Sequence, residues 1–104
     1  SWLVAELDNN CCFTSMNLNF LVILGKTLED VIGKKYYDVI NGTNSKMVNE
    51  NLIAEVLQGK QLEHEEILYF GKKQSKLILK FSPIYNNLEL PIRVLCSGYE
   101  VKLF

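Results

Sequence analysis

Side chains able to do chemistry are thinly spread in this chain, and only two groups of them are placed to act together. The single histidine, His64, stands between Glu63 and the pair Glu65-Glu66. As a metal site that would offer one imidazole and carboxylates. Glu63 and Glu65 share one face of a strand, but without a second imidazole the set is a poor one for a divalent ion. The plainer alternative is an exposed histidine on an acidic strand. Its glutamates would then meet Lys72, Lys73, Lys76 and Lys80 across a hairpin, in solvated pairs each worth ~0.2–1 kcal/mol. The second group is Cys11, Cys12 and Cys96. Neighbours on a strand point to opposite faces, so Cys11 and Cys12 could not join one site there, and an odd number reads as reduced thiols rather than a disulfide framework. There is no Ser/His/Asp set, no glycine loop to cradle a phosphate, and no Cys-x-x-Cys-His haem attachment. The chain is expected not to be an enzyme.

The elements that hold these residues must come from one domain, because 104 residues leave room for no more. Hydrophobic residues make up 48% and charged residues 22%, which suits a folded core. Eleven basic against twelve acidic residues give a net charge of −1, and no basic run exceeds two, which argues against a nucleic-acid partner. The longest apolar run, Phe20 to Leu24, falls far below the ~18 residues of a membrane span, so no membrane contact is expected. The free thiols suit a cytoplasmic setting. The chain starts directly at Ser1-Trp2-Leu3-Val4 and stops at Val101-Lys102-Leu103-Phe104, and so reads as a piece of a longer polypeptide.

Along the chain, Trp2 to Leu7 and Cys11 to Met16 are strand candidates joined by the turn cluster Asp8-Asn9-Asn10. Asn17 opens a helical piece with Phe20, Ile23 and Leu24 on one side, ended by Gly25. Thr27 and Asp30 have capping-box spacing before Leu28, Val31 and Ile32, and Gly33 follows. After Tyr36, Tyr37, Val39 and Ile40, Asn41-Gly42-Thr43-Asn44 breaks the pattern. Ser45 is a candidate N-cap for the longest helix, predicted to run to Leu57 with Val48, Leu52, Ile53, Val56 and Leu57 as its apolar stripe. Strands then fill Gln61 to Phe70, Ser75 to Ile84 and Ile92 to Leu103, the first two joined through Gly71-Lys72-Lys73-Gln74. In the middle strand Leu77, Leu79 and Phe81 alternate with Lys76, Ile78, Lys80 and Ser82. The order β-β-α-α-α-β-β-β predicts an α+β fold, a five-stranded antiparallel sheet with helices on one face.

Asn17-x-x-Phe20-x-x-x-Leu24-Gly25 followed by Leu28-Glu29-Asp30-Val31-Ile32-Gly33-Lys34 resembles the central signature of PAS domains. Asp8, Gly59, Ser82-Pro83-Ile84 and Gly98-Tyr99-Glu100-Val101-Lys102 fall where that family has its first turn, its post-helix glycine, the end of its fourth strand and its closing segment, Lys102 replacing a threonine. The resemblance spans the whole chain and implies a sensory or regulatory module that binds a small molecule or partner and relays the change to an output domain in the parent chain. On family frequency that output is a histidine kinase of a two-component system, which can itself be membrane-anchored.

The resemblance also implies a pocket between the sheet and the long helix. Its candidate lining is Phe20, Leu24, Tyr36, Val39, Leu52, Val56, Leu77, Leu79, Phe81, Val94 and Cys96. The alternative is that these side chains simply pack together, leaving a dimerisation or interaction module without a pocket. A third reading is a noncovalent haem or flavin sensor. Haem-binding relatives carry the ligating histidine on or near the long helix, where Ser45 to Leu57 has none. Light-sensing flavin relatives need a cysteine where Asn41-Gly42-Thr43-Asn44-Ser45 stands here, and Trp2 suits packing at the domain entry better than stacking on a flavin. No cofactor is therefore expected. Trp2, Leu3 and Val4 begin the chain as apolar surface, which points to a homodimer through the outer sheet face or the N-terminal edge.

Overall fold

The structure, a computed structural model, describes residues 2–103; Ser1 and Phe104 lie outside the described residues. Two strands come first, β1 (Leu3–Leu7) and β2 (Phe13–Met16), and three come last, β3 (Leu62–Phe70), β4 (Lys73–Tyr85) and β5 (Pro91–Leu103). Between them lie helices α1 (Leu18–Leu24), α2 (Tyr36–Ile40) and α3 (Glu50–Leu57), with single 3-10 turns at Leu28–Asp30 and Ser45–Met47. All pairings are antiparallel and the sheet order is β2-β1-β5-β4-β3, so the chain's first and last strands lie side by side at the centre. This is the α+β sheet-and-helix layer read from the sequence.

Period-two burial decides which face of the sheet carries the core. Leu3, Ala5 and Leu7 on β1, Leu77, Leu79 and Phe81 on β4, and Val94 and Cys96 on β5 all point under the helices. Phe13 on β2 shares that face, and Phe20, Tyr36, Val39, Ile53 and Val56 close over it from the helical side. Gly98 sits in β5 opposite Leu79, and a Cβ there would lie 1.9 Å from the carbonyl oxygen of Ile78. Only a glycine allows that approach.

Most caps are the predicted ones. The Asn17 side chain accepts from the Phe20 amide at 3.1 Å, and Gly25, at φ +64°, donates its N–H to the carbonyls of Leu21 and Val22. The Asp30 carboxylate accepts from the Thr27 amide and hydroxyl, both at 3.0 Å.

Four local expectations change. The long helix does not begin at Ser45: Val48 is extended (φ −92°, ψ 94°), and α3 starts at Glu50, where the Asn49 side chain accepts from the amides of Asn51 and Leu52. Ser45 instead accepts from the Gly42 amide at 2.8 Å, bracing the preceding loop. The second strand begins at Phe13, because Cys11 takes a left-handed conformation (φ +61°) and leaves the extended path. The β3–β4 turn is only Gly71-Lys72, with Phe70 already paired to Lys73. Finally, Leu3 is fully buried, so the apolar start of the chain is not all surface.

Candidate functional site

The predicted pocket residues do converge on one place. Phe20, Tyr36, Val56, Leu77, Phe81, Val94 and Cys96 are wholly buried, and Leu24, Val39 and Leu79 nearly so, in a single apolar cluster. Leu52 is the exception: it packs half-buried at the margin while Ile53 takes the inward position. The rings interlock, Phe13 stacked on Tyr36 at 5.8 Å and Tyr36 edge-on to Phe81 at 5.9 Å.

This interior also holds a charge that the sequence reading put on the surface. His64 and Glu66 are not on a solvated acidic face. They alternate with exposed Glu63 and Glu65, point inward beside Leu79 and Leu77, and leave Glu66 with no exposed surface at all. Glu66 Oε2 accepts from the Tyr36 hydroxyl at 2.9 Å and lies 2.6 Å from His64 Nε2, while Oε1 accepts from the Asn44 amide at 2.9 Å. An ionised carboxylate only accepts, so Nε2 is the ring nitrogen assigned the hydrogen. Burial pushes the Glu66 carboxyl up, but the hydrogen bonds from His64, the Asn44 amide and Tyr36 outweigh it and hold the group below its ordinary value. Burial, together with the nearby Cys96 and Glu66, drives the Tyr36 hydroxyl well above its ordinary value. The two shifts agree on one state, a carboxylate anion held by a protonated phenol.

In chemical terms the arrangement is an anion ringed by donors in an apolar surround. It contains no activated nucleophile. Burial raises the Cys11 thiol to about 11, with its Sγ donating to the Val48 carbonyl at 3.4 Å, and raises Cys96 further still. Among the described residues no three His, Cys, Asp or Glu side chains gather as a metal set. No described helix is long and apolar enough to cross a membrane. The outer sheet face is more apolar than the charge pattern suggested: Trp2 is 65% exposed and meets Tyr99 edge-on at 6.1 Å, with Val101 also exposed.

An antiparallel sheet of order β2-β1-β5-β4-β3 with a layer of short helices on one face is an α+β fold. The chain belongs to the PAS fold family, whose model matches residues 3–98. No curated protein matches it. Among solved structures it is similar to VqmA bound to DPO, at 16% identity and a TM-score of 0.79, covering 100% of this chain and 54% of that one. It is similar to the Rhodobacter sphaeroides LOV protein, at 16% identity and 0.72, covering 95% and 58%. A sensory box sensor histidine kinase from Vibrio cholerae matches at 14% identity and 0.70, covering 100% of this chain and 84% of that one. The chain thus spans little more than half the length of the first two.

Proposed function

We propose that this PAS domain is the sensing module of a larger signalling protein, binding a small, uncoloured, noncovalent ligand at the Tyr36–His64–Glu66 corner and passing the change to an attached output domain. The observation that carries this reading is the buried carboxylate. A core built for packing alone gains little from an ionised group beneath its sheet, since burying a charge costs several kcal/mol before its partners offset it. Ligand binding in VqmA, and a kinase as the parent of another similar structure, make a histidine kinase or a ligand-bound regulator reasonable outputs.

The second reading is a dimerising module that relays strain without a ligand, and the Trp2–Tyr99–Val101 surface favours it. A thermal-shift screen followed by native mass spectrometry separates the two. A ligand present at one hundred times its Kd adds about 2.7 kcal/mol and raises the melting temperature. A library that raises no melting temperature, with a dimer in light scattering that dissociates when Trp2 and Tyr99 are made polar, would favour the second reading. Absorbance of freshly purified protein tests the expectation of no haem or flavin; a visible band would overturn it.

A further inference from the structure

Glu66 divides its two oxygens between different parts of the molecule. Oε2 holds Tyr36 and His64; Oε1 meets the loop after α2 and holds the backbone of Asn44. Asn44 belongs to the loop that follows α2, and this loop lies along the free edge of β3. The Thr43 amide donates to the Ile67 carbonyl at 3.1 Å, the Ile67 amide donates to the Thr43 hydroxyl at 3.1 Å, and Asn44 Nδ2 donates to the Glu65 carbonyl at 2.9 Å. The loop therefore satisfies an edge strand that would otherwise present unpaired groups to solvent. Gly42 is pressed against the same carboxylate: a Cβ there would stand 2.6 Å from Oε1 and 3.0 Å from the Leu68 side chain.

We propose that Glu66 is a coupling residue, in which the state of Oε2 inside the domain sets how firmly Oε1 holds the 41–47 loop on the edge of β3. The chemistry is that of a shared anion. Charge-assisted hydrogen bonds are about twice as strong as neutral ones, and both oxygens draw on one negative charge. A ligand donor, or a proton, that claims Oε2 more strongly than Tyr36 and His64 do withdraws charge from Oε1 and weakens its bond to Asn44. A carboxylate that turns toward a new interior partner also alters the space Gly42 occupies. Either change loosens the loop, whose outer side forms a groove of about 580 Å³ with Tyr37 and Asp38. The coupling gives the module a route from its interior to its helical side, separate from the outer sheet face.

This inference rests on the reading that the domain is regulated from its interior, but the coupling is measurable without any ligand, so the two can fail separately. The experiment is native-state amide exchange by NMR on this chain, wild type against Glu66→Gln and Tyr36→Phe. Glu66→Gln removes the charge, and the Asn44 amide should exchange about tenfold faster, with Thr43 and Ile67 following while β4 and β5 keep their protection. Tyr36→Phe removes no hydrogen bond to the loop, yet by taking a donor from Oε2 it leaves more charge on Oε1 and should slow the same three amides about threefold. Should Glu66→Gln not fold, His64→Gln joins Tyr36→Phe as a second interior change with the same expected pattern. The proposal is overturned if Tyr36→Phe leaves these three amides at wild-type rates or speeds them, or if all amides rise together.

Discussion

The two ends of the domain's interior are built on different principles. Beneath β1, β5 and β2 the core is dry, with Leu3, Leu7, Phe13 and Phe20 packed in period-two and helical stripes. Beneath β3 it turns polar, and a carboxylate, an imidazole and a phenol sit among the same kind of neighbours. The dry end specifies the fold through volume and pattern. The polar end adds a group that is costly to bury and that can exchange partners. Phe81 stands at the seam, its ring 5.9 Å from Tyr36 and 5.7 Å from His64.

Breaking the seam between them should cost most. Phe81→Ala empties a buried ring site and is expected to lower stability by ~3–5 kcal/mol in chemical denaturation. Glu66→Ala should come next. It leaves the Tyr36 hydroxyl, His64 and the Asn44 amide without their acceptor, at ~3 kcal/mol, and should additionally expose the 41–47 loop to proteolysis, which Phe81→Ala does less selectively.

Acid sharpens the same contrast. The folded-state value of Glu66 is depressed, so its contribution is fully present above the ordinary carboxylate range and is lost as pH falls through the lower folded value. Unfolding midpoints should therefore decline below about pH 4.5 in the wild type, and less steeply in Glu66→Gln. A surface pair gives the smallest effect. Lys76 Nζ lies 3.2 Å from Glu65 on the solvated face, and Lys76→Ala should change stability by less than ~0.5 kcal/mol, with any effect erased by salt.

The dry end was legible in the sequence because apolar periodicity, caps and glycines all point one way. Leu77, Leu79 and Phe81 announce their face, and Asn17 and Gly25 bound a helix on local chemistry alone. The polar end was hidden by residue type. His64 and Glu66 read as surface because they sit among Glu63 and Glu65, and burial of a glutamate is rare. Their phase was nevertheless available. Any even-length turn between β3 and β4 sets even-numbered residues of β3 opposite Leu77, Leu79 and Phe81, which turns His64 and Glu66 inward. Tyr36, already assigned inward, was the donor that such a carboxylate needs. The late start of α3 was less accessible, because Ser45 and Asn49 are both good caps. Only the local bond from the Gly42 amide, visible in the folded loop, shows Ser45 engaged elsewhere.

The central claim is that the polar corner is where this domain is regulated. A 15N-labelled chain titrated with the compounds that raise its melting temperature tests it directly. The account predicts that the first amides to shift belong to Asn44, His64 and Glu66, and that Glu66→Gln abolishes the response. Shifts confined to Trp2, Tyr99 and Val101 on the outer sheet face, unaffected by Glu66→Gln, would contradict it.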